Sequence, residues 1–146
     1  MRYLFLFYSI TPLFFALNAE FKVHSNEATQ KTDPKPKRRV YYGIASYYAD
    51  KFNGRATANG EIYTHKKLTA ACNILPLGTW IRVTNLKNNK SVIVKTNDRL
   101  HPRMKRIVDL SRSAAEKLAY TGRGLTQVKV EIIKKEVALK SLSQNK

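Results

Sequence analysis

The chain has 146 residues, room for one domain, and an ordinary apolar content of 43% that argues against wholesale disorder. Its 27 Lys plus Arg stand against 10 Asp plus Glu, a net charge of +17 that speaks of an anionic partner rather than of a fold. A single cysteine, Cys72, excludes an intramolecular disulfide and a multi-cysteine zinc site, so the domain is expected to be held by its core.

The first nineteen residues read as an export signal. Arg2 gives a positive start, Leu4 to Leu17 is almost wholly apolar, and small Ala19 stands at a plausible cleavage point. The apolar run is shorter than the ~20 residues a membrane span needs, and no cysteine follows it to accept a lipid. Residues 20–39 are polar, twice interrupted by proline, and end in the basic cluster Lys35, Lys37, Arg38 and Arg39. Such a segment buries too little apolar surface to offset its ordering entropy and reads as a flexible basic linker.

From Val40 the pattern changes. Val40, Tyr42, Ile44 and Ser46 alternate with Tyr41, Gly43, Ala45 and Tyr47, which predicts a first strand. Residues 52–60, rich in Gly, Asn and Ala, read as a loop, and Lys67 to Cys72 as a short helical turn ended by Asn73 and Pro76. Thr79 to Thr84 and Ser91 to Thr96 are alternating strands joined through Asn88-Asn89, which favours a hairpin because Asn tolerates positive φ. Ser111 to Tyr120 reads as a helix, with Ser113 and Glu116 spaced as a capping box. Gln127 to Ile133 closes the domain as a strand, and residues 135–146 read as a fraying tail. Short strands with one or two short helices indicate a mainly β domain over 40–134, a small barrel or sandwich.

Two segments join turn-forming residues to an acid. Asn59-Gly60 supports a sharp turn that would project Glu61, and Asn97-Asp98-Arg99 follows an apolar strand, so Asp98 could reach a cleft from a strand end. Either acid alone also fits a turn cap or a surface ion pair. With 10 acids in the chain, two in such settings carry more weight.

Gly43-x-Ala45-Ser46-x-Tyr48, Thr57-Ala58-Asn59-Gly60-Glu61, Leu75-Pro76-Leu77-Gly78, Val83-Thr84-Asn85, Asn97-Asp98-Arg99 and Asp109-Leu110-Ser111 occur in one order over about residues 43–133. As a set they resemble the rare lipoprotein A family of bacterial cell-envelope proteins. The resemblance implies a six-stranded double-psi β-barrel and a lytic transglycosylase that cleaves peptidoglycan strands stripped of their stem peptides, leaving 1,6-anhydro ends. It places the catalytic pair on Glu61 and Asp98, with Cys72, Asn59, Asn97 and Arg99 as active-site neighbours and Tyr48, Tyr63 and Thr57 as substrate-binding residues. Carboxyl groups suit the chemistry, because one protonates the leaving oxygen while another steadies an oxocarbenium-like transition state. Glu61 as general acid and then base requires a raised pKa from partial burial, with Asp98 as the ionised partner. No cofactor and no metal is expected.

The chain departs from the family where Cys72 replaces a histidine and where Leu100-His101-Pro102 replaces Gly-Pro-aromatic. A thiol is a poor substitute for imidazole; His65 and His101 lie near in sequence. The family's lipid-acceptor cysteine and C-terminal glycan-binding repeat domain are not seen, so the barrel itself would have to hold the glycan. Its basic charge suits the lactyl carboxylates of peptide-free strands, and Tyr41, Tyr42, Tyr47, Tyr48, Tyr63 and Trp80 offer flat faces to sugars or pack between strands. Envelope or cell-division proteins are further candidate partners, and a monomer is expected. An expansin-like protein that loosens wall polysaccharide without cutting it is the alternative. Nucleic-acid binding is set aside, since the basic residues follow no recognised binding module and a signal segment precedes the domain.

Overall fold

The computed structural model describes residues 39–144. The export signal and nearly all of the basic linker lie outside the described residues, and within them no helix is long and apolar enough to cross a membrane.

Six strands form a closed barrel: β1 (Val40–Tyr47), β2 (Thr69–Ala71), β3 (Trp80–Asn85), β4 (Ser91–Asp98), β5 (Val108–Leu110) and β6 (Thr126–Ile132). Around the barrel they run β1-β5-β2-β4-β3-β6, with β1–β5 and β2–β4 parallel and the other neighbours antiparallel. Closure leaves no open sheet edge. Two helices complete the domain, α1 (Arg112–Lys117) and α2 (Lys135–Gln144).

The alternating stretches form strands for the reason the pattern suggests. On β3, Ile81, Val83 and Asn85 point inward while Trp80, Arg82 and Thr84 are half-buried outside. With Val92 and Val94 of β4, Val108 and Leu110 of β5 and Val128 and Val130 of β6 they fill the barrel, and Ala114, Ala115 and Leu118 of α1 extend the same core. Burying each such large side chain contributes about 1.5–3 kcal/mol, which lets the domain hold without a disulfide. Gly43 of β1 is required by packing, since a Cβ there would stand 2.6 Å from Cγ2 of Ile107.

Three elements differ from the sequence expectation. Residues 69–71 are not a helical turn but β2, enclosed between β4 and β5 with all three residues buried. The helix propensity of alanine gives way to burial, because small side chains fit where strands crowd together. Helix α1 is capped by Ser111, which accepts from the Ala114 N–H; Ser113 instead donates its hydroxyl to the His65 carbonyl at 2.6 Å. Residues 135–144, expected to fray, form α2, which packs against β3 and buries Ala138.

One irregularity positions the site. β2 pairs Ala70 with Thr96 but Ala71 with Asp98, so Asn97 is an extra residue in β4. This bulge breaks the alternation: Thr96 and Asn97 are both buried and Asp98 is turned outward, half-buried.

Candidate active site

The turn that carries Glu61 is built by its own backbone. The Gly60 N–H donates to Thr57 O at 2.9 Å and the Thr57 N–H to Glu61 O at 2.8 Å, with Gly60 at φ +85°, a value that favours glycine. The Thr57 hydroxyl lies 2.8 Å from both Asn59 Oδ1 and the Glu61 carbonyl and locks the turn from inside. The turn docks on the end of β4, where the Asn59 N–H donates to Asn97 O at 3.1 Å and the Ala58 N–H to Asp98 Oδ1 at 2.8 Å. Segments some forty residues apart in the chain thus bring the two acids into one hydrogen-bonded network.

Glu61 is held by amides. Asn97 Nδ2 donates to Oε2 at 3.2 Å and Asn59 Nδ2 to Oε1 at 3.0 Å, with Lys95 Nζ 4.0 Å from Oε1. The Asn97 bond first, then the Asn59 bond and the nearby lysines, hold its pKa below the ordinary glutamate value. The expected raised pKa is therefore corrected: donors aimed at the carboxylate outweigh desolvation, and Glu61 is ionised in the free protein.

Asp98 has a different setting. Its Oδ2 accepts from the Tyr48 hydroxyl at 2.6 Å, and Oδ1 from the Ala58 and Arg99 N–H groups, each at 2.8 Å. Tyr48 is stacked on Tyr63, ring centroids 4.4 Å apart, and meets Phe52 edge-on at 5.7 Å. Burial, then the bond to Asp98, push the Tyr48 pKa up, so it stays a neutral phenol that donates to the carboxylate.

A groove of about 680 Å³ opens beside Asp98, walled by Tyr48, Phe52, Arg55, His101, Met104 and Arg106 among others. Asp98 lines it and Glu61 does not; Asn97, adjacent to one acid and bonded to the other, links them. Thr57 and Tyr63, expected to contact substrate, both line the groove, but at 7% and 2% exposure they present little surface to it and also brace the turn and the Tyr48 ring. Tyr47 is likewise packed, its hydroxyl donating to the Thr121 carbonyl at 2.9 Å.

Cys72 is a neighbour of the site through its backbone alone. Its N–H donates to Asp98 O at 3.1 Å and its carbonyl accepts from the Arg99 guanidinium, while the side chain, 1% exposed, is packed in the core. Burial pushes the thiol pKa up, which keeps it protonated and inert. Arg99 also donates to Leu75 O at 2.8 Å, so it pins the 72–75 loop. Leu100 turns its side chain inward, and Asn73 clamps its N–H at 2.8 Å and its carbonyl at 3.0 Å. Of the two family departures, the Cys72 side chain thus lies beneath the site surface, whereas Leu100 and the exposed His101 reach the groove wall. His65 stands behind Tyr63, Nδ1 3.0 Å from its hydroxyl, and His101 lines the groove.

Sequence reasoning missed Lys95 and the groove walls Phe52 and Arg55. Lys95 was legible in principle, as the outward residue between buried Val94 and Thr96 on the strand leading to Asp98. Phe52 and Arg55 gave no periodic signal.

A family model described as "Lytic transglycolase" matches residues 41–130. Over 113 residues the chain is 42% identical to the endolytic peptidoglycan transglycosylase RlpA of Haemophilus influenzae, covering 77% of this chain and 39% of that protein. For the protein of the same name from Pseudomonas aeruginosa the values are 54% over 89 residues, 61% and 26%, and for that of Rickettsia bellii 45% over 116 residues, 76% and 51%. The chain thus spans about half or less of the length of these curated relatives. Among solved structures the barrel resembles the expansin of Clavibacter michiganensis, with a TM-score of 0.53 at 20% identity, covering 66% of this chain and 52% of that one. It also resembles a Streptomyces papain inhibitor, with a TM-score of 0.53 at 21% identity, covering 66% of this chain and 96% of that one. At these identities the structures speak for the double-psi fold only.

Proposed function

This chain belongs to the lytic transglycolase family, and from that premise we propose that it is an exported, periplasmic enzyme that cleaves peptidoglycan glycan strands lacking stem peptides and leaves 1,6-anhydro ends. The observation that carries the reading is the joining of Glu61 and Asp98, through the bulged Asn97 and the Ala58 N–H, into one network beside an open groove. Catalysis of this kind needs one carboxyl that exchanges a proton and one that stays charged.

Asp98 is the charged partner. Three donors fix the orientation of its carboxyl group, and its negative charge stabilises the developing oxocarbenium ion on the muramic ring. Glu61 is the proton carrier. It is ionised in the free protein and takes up a proton once a docked glycan covers its exposed edge, since desolvation raises a carboxyl pKa. Protonated Glu61 donates to the leaving glycosidic oxygen, the muramic 6-hydroxyl attacks the anomeric carbon, and Glu61 recovers the proton from that hydroxyl. Because the free-protein pKa is depressed, kcat/KM falls as pH rises above the acid range.

The test is direct: the purified chain is incubated with peptide-free and peptide-bearing strands, and soluble products are read by mass spectrometry. Anhydro-ended fragments from the peptide-free strands alone are expected. A folded protein that binds the strands and releases no such fragment would establish the second reading, a wall-binding protein that does not cut. That reading is favoured by one observation, the buried thiol of Cys72 where the family places a titratable imidazole.

A further inference from the structure

The groove that Asp98 lines also carries two cations with no acid of their own. Lys51 Nζ lies 5.4 Å and the Arg55 guanidinium carbon 5.5 Å from the centre of the Phe52 ring. Both side chains are exposed, and both residues line the groove that Asp98 also lines. Among the described residues neither has a carboxylate at ion-pair distance.

The acids nearby are already engaged. Asp50, next to Lys51, is taken by Arg112 at 2.8 Å and approached by His65 at 3.4 Å; Asp109 is paired with Arg106 at 2.8 Å; Asp98 faces Tyr48. Arg55 is also held in place by its backbone. The Arg55 N–H donates to Phe52 O at 3.1 Å and the Arg55 carbonyl accepts from Tyr63 at 2.9 Å, while Gly54 at φ +84° folds the chain so that Arg55 returns over the Phe52 ring. Phe52 in turn abuts Tyr48, whose hydroxyl holds Asp98. An anion seated between Lys51 and Arg55 therefore lies in the same groove as the charged acid.

Resting on the proposed reaction, we propose that Lys51 and Arg55, mounted on Phe52, form the subsite that reads the free lactyl carboxylate of a muramic residue. A strand that keeps its stem peptides carries an amide at that position, without the charge, so this pair selects peptide-free strands at the barrel itself. Arg55 supplies the planar fork that suits a carboxylate and Lys51 a point charge.

The test compares kcat/KM on peptide-free strands with that on the same strands after their carboxylates have been converted to neutral methylamides. Wild-type protein is expected to lose roughly tenfold on the neutral strands, the scale of a hydrogen-bonded charge. The Lys51→Ala/Arg55→Ala double variant is expected to lose as much on the natural strands and to be indifferent to amidation, with Arg55→Lys in between. The Lys87→Ala/Lys90→Ala double variant, on the β3–β4 hairpin, removes the same charge elsewhere and is expected to behave as wild type. Equilibrium binding of both strand types is measured alongside. Wild-type protein that binds and discriminates yet does not cut contradicts the reaction and upholds the subsite. A double variant that discriminates as well as wild type, or a wild type indifferent to amidation, overturns the subsite.

Discussion

Two buried asparagines mark opposite ends of the β3–β4 pair. Asn85 and Asn97 are each 2% exposed, and each sits at a strand end. Asn85 closes on the scaffold: its Nδ2 donates to Leu118 O at 3.0 Å, while its Oδ1 accepts from Thr126 at 2.8 Å and from the Lys87 N–H at 3.0 Å. With Asn88, which reaches the same carbonyl at 3.0 Å, it satisfies a carbonyl at the end of α1. Asn97 instead points its amide at Glu61, a half-exposed carboxylate with lone pairs left for a ligand. A buried amide that meets only its own fold is structural, whereas one that holds a charged group at the surface prepares that group for chemistry.

The contrast can be broken at several points. Asp98→Asn should have the largest effect, lowering formation of 1,6-anhydro ends by about a hundredfold or more, because it removes the charge and replaces the Oδ2 that accepts from the Tyr48 hydroxyl by an amide nitrogen. Product analysis at matched folded-protein concentration checks it. Asn85→Ala should instead cost about 1–3 kcal/mol of stability, seen as a lower Tm, with the pH profile of the remaining folded protein unmoved.

Asn97→Ala should do the converse. Loss of the largest influence depressing the Glu61 pKa lets that pKa rise towards its ordinary value, so the midpoint of the kcat/KM profile moves to higher pH. The sign for stability follows from the same shift. A depressed folded pKa stabilises above the unfolded pKa and loses that contribution as pH falls through the folded value, so the variant should show a smaller drop in Tm between neutral and acid pH. The smallest effect belongs to Cys72, whose buried thiol should resist alkylating reagents in the native protein and react only after unfolding.

Much of the barrel was legible because β1, β3, β4 and β6 present alternating faces. β2 was not, since Thr69, Ala70 and Ala71 are buried throughout and alternate nothing, and three-residue β5 is too short for any period. The same misreading hid the inward direction of the Cys72 side chain. At the site, the positions of Glu61 and Asp98 could be read from a glycine turn and a strand end. The ionisation of Glu61 could not, because it is governed by Asn97, 36 residues away and turned inward by a bulge that simple alternation does not foresee. Tyr63 was read as a sugar platform because an aromatic ring beside an acid has that potential; its burial behind Tyr48 is a tertiary fact.

The central claim is that Glu61 carries the proton, and Glu61→Gln tests it most directly. The variant keeps the size of the side chain and removes its capacity to exchange a proton. With wild-type circular dichroism and wild-type strand binding, it should release anhydro-ended fragments from peptide-free glycan at least about a hundredfold more slowly. Release at the wild-type rate would contradict the account.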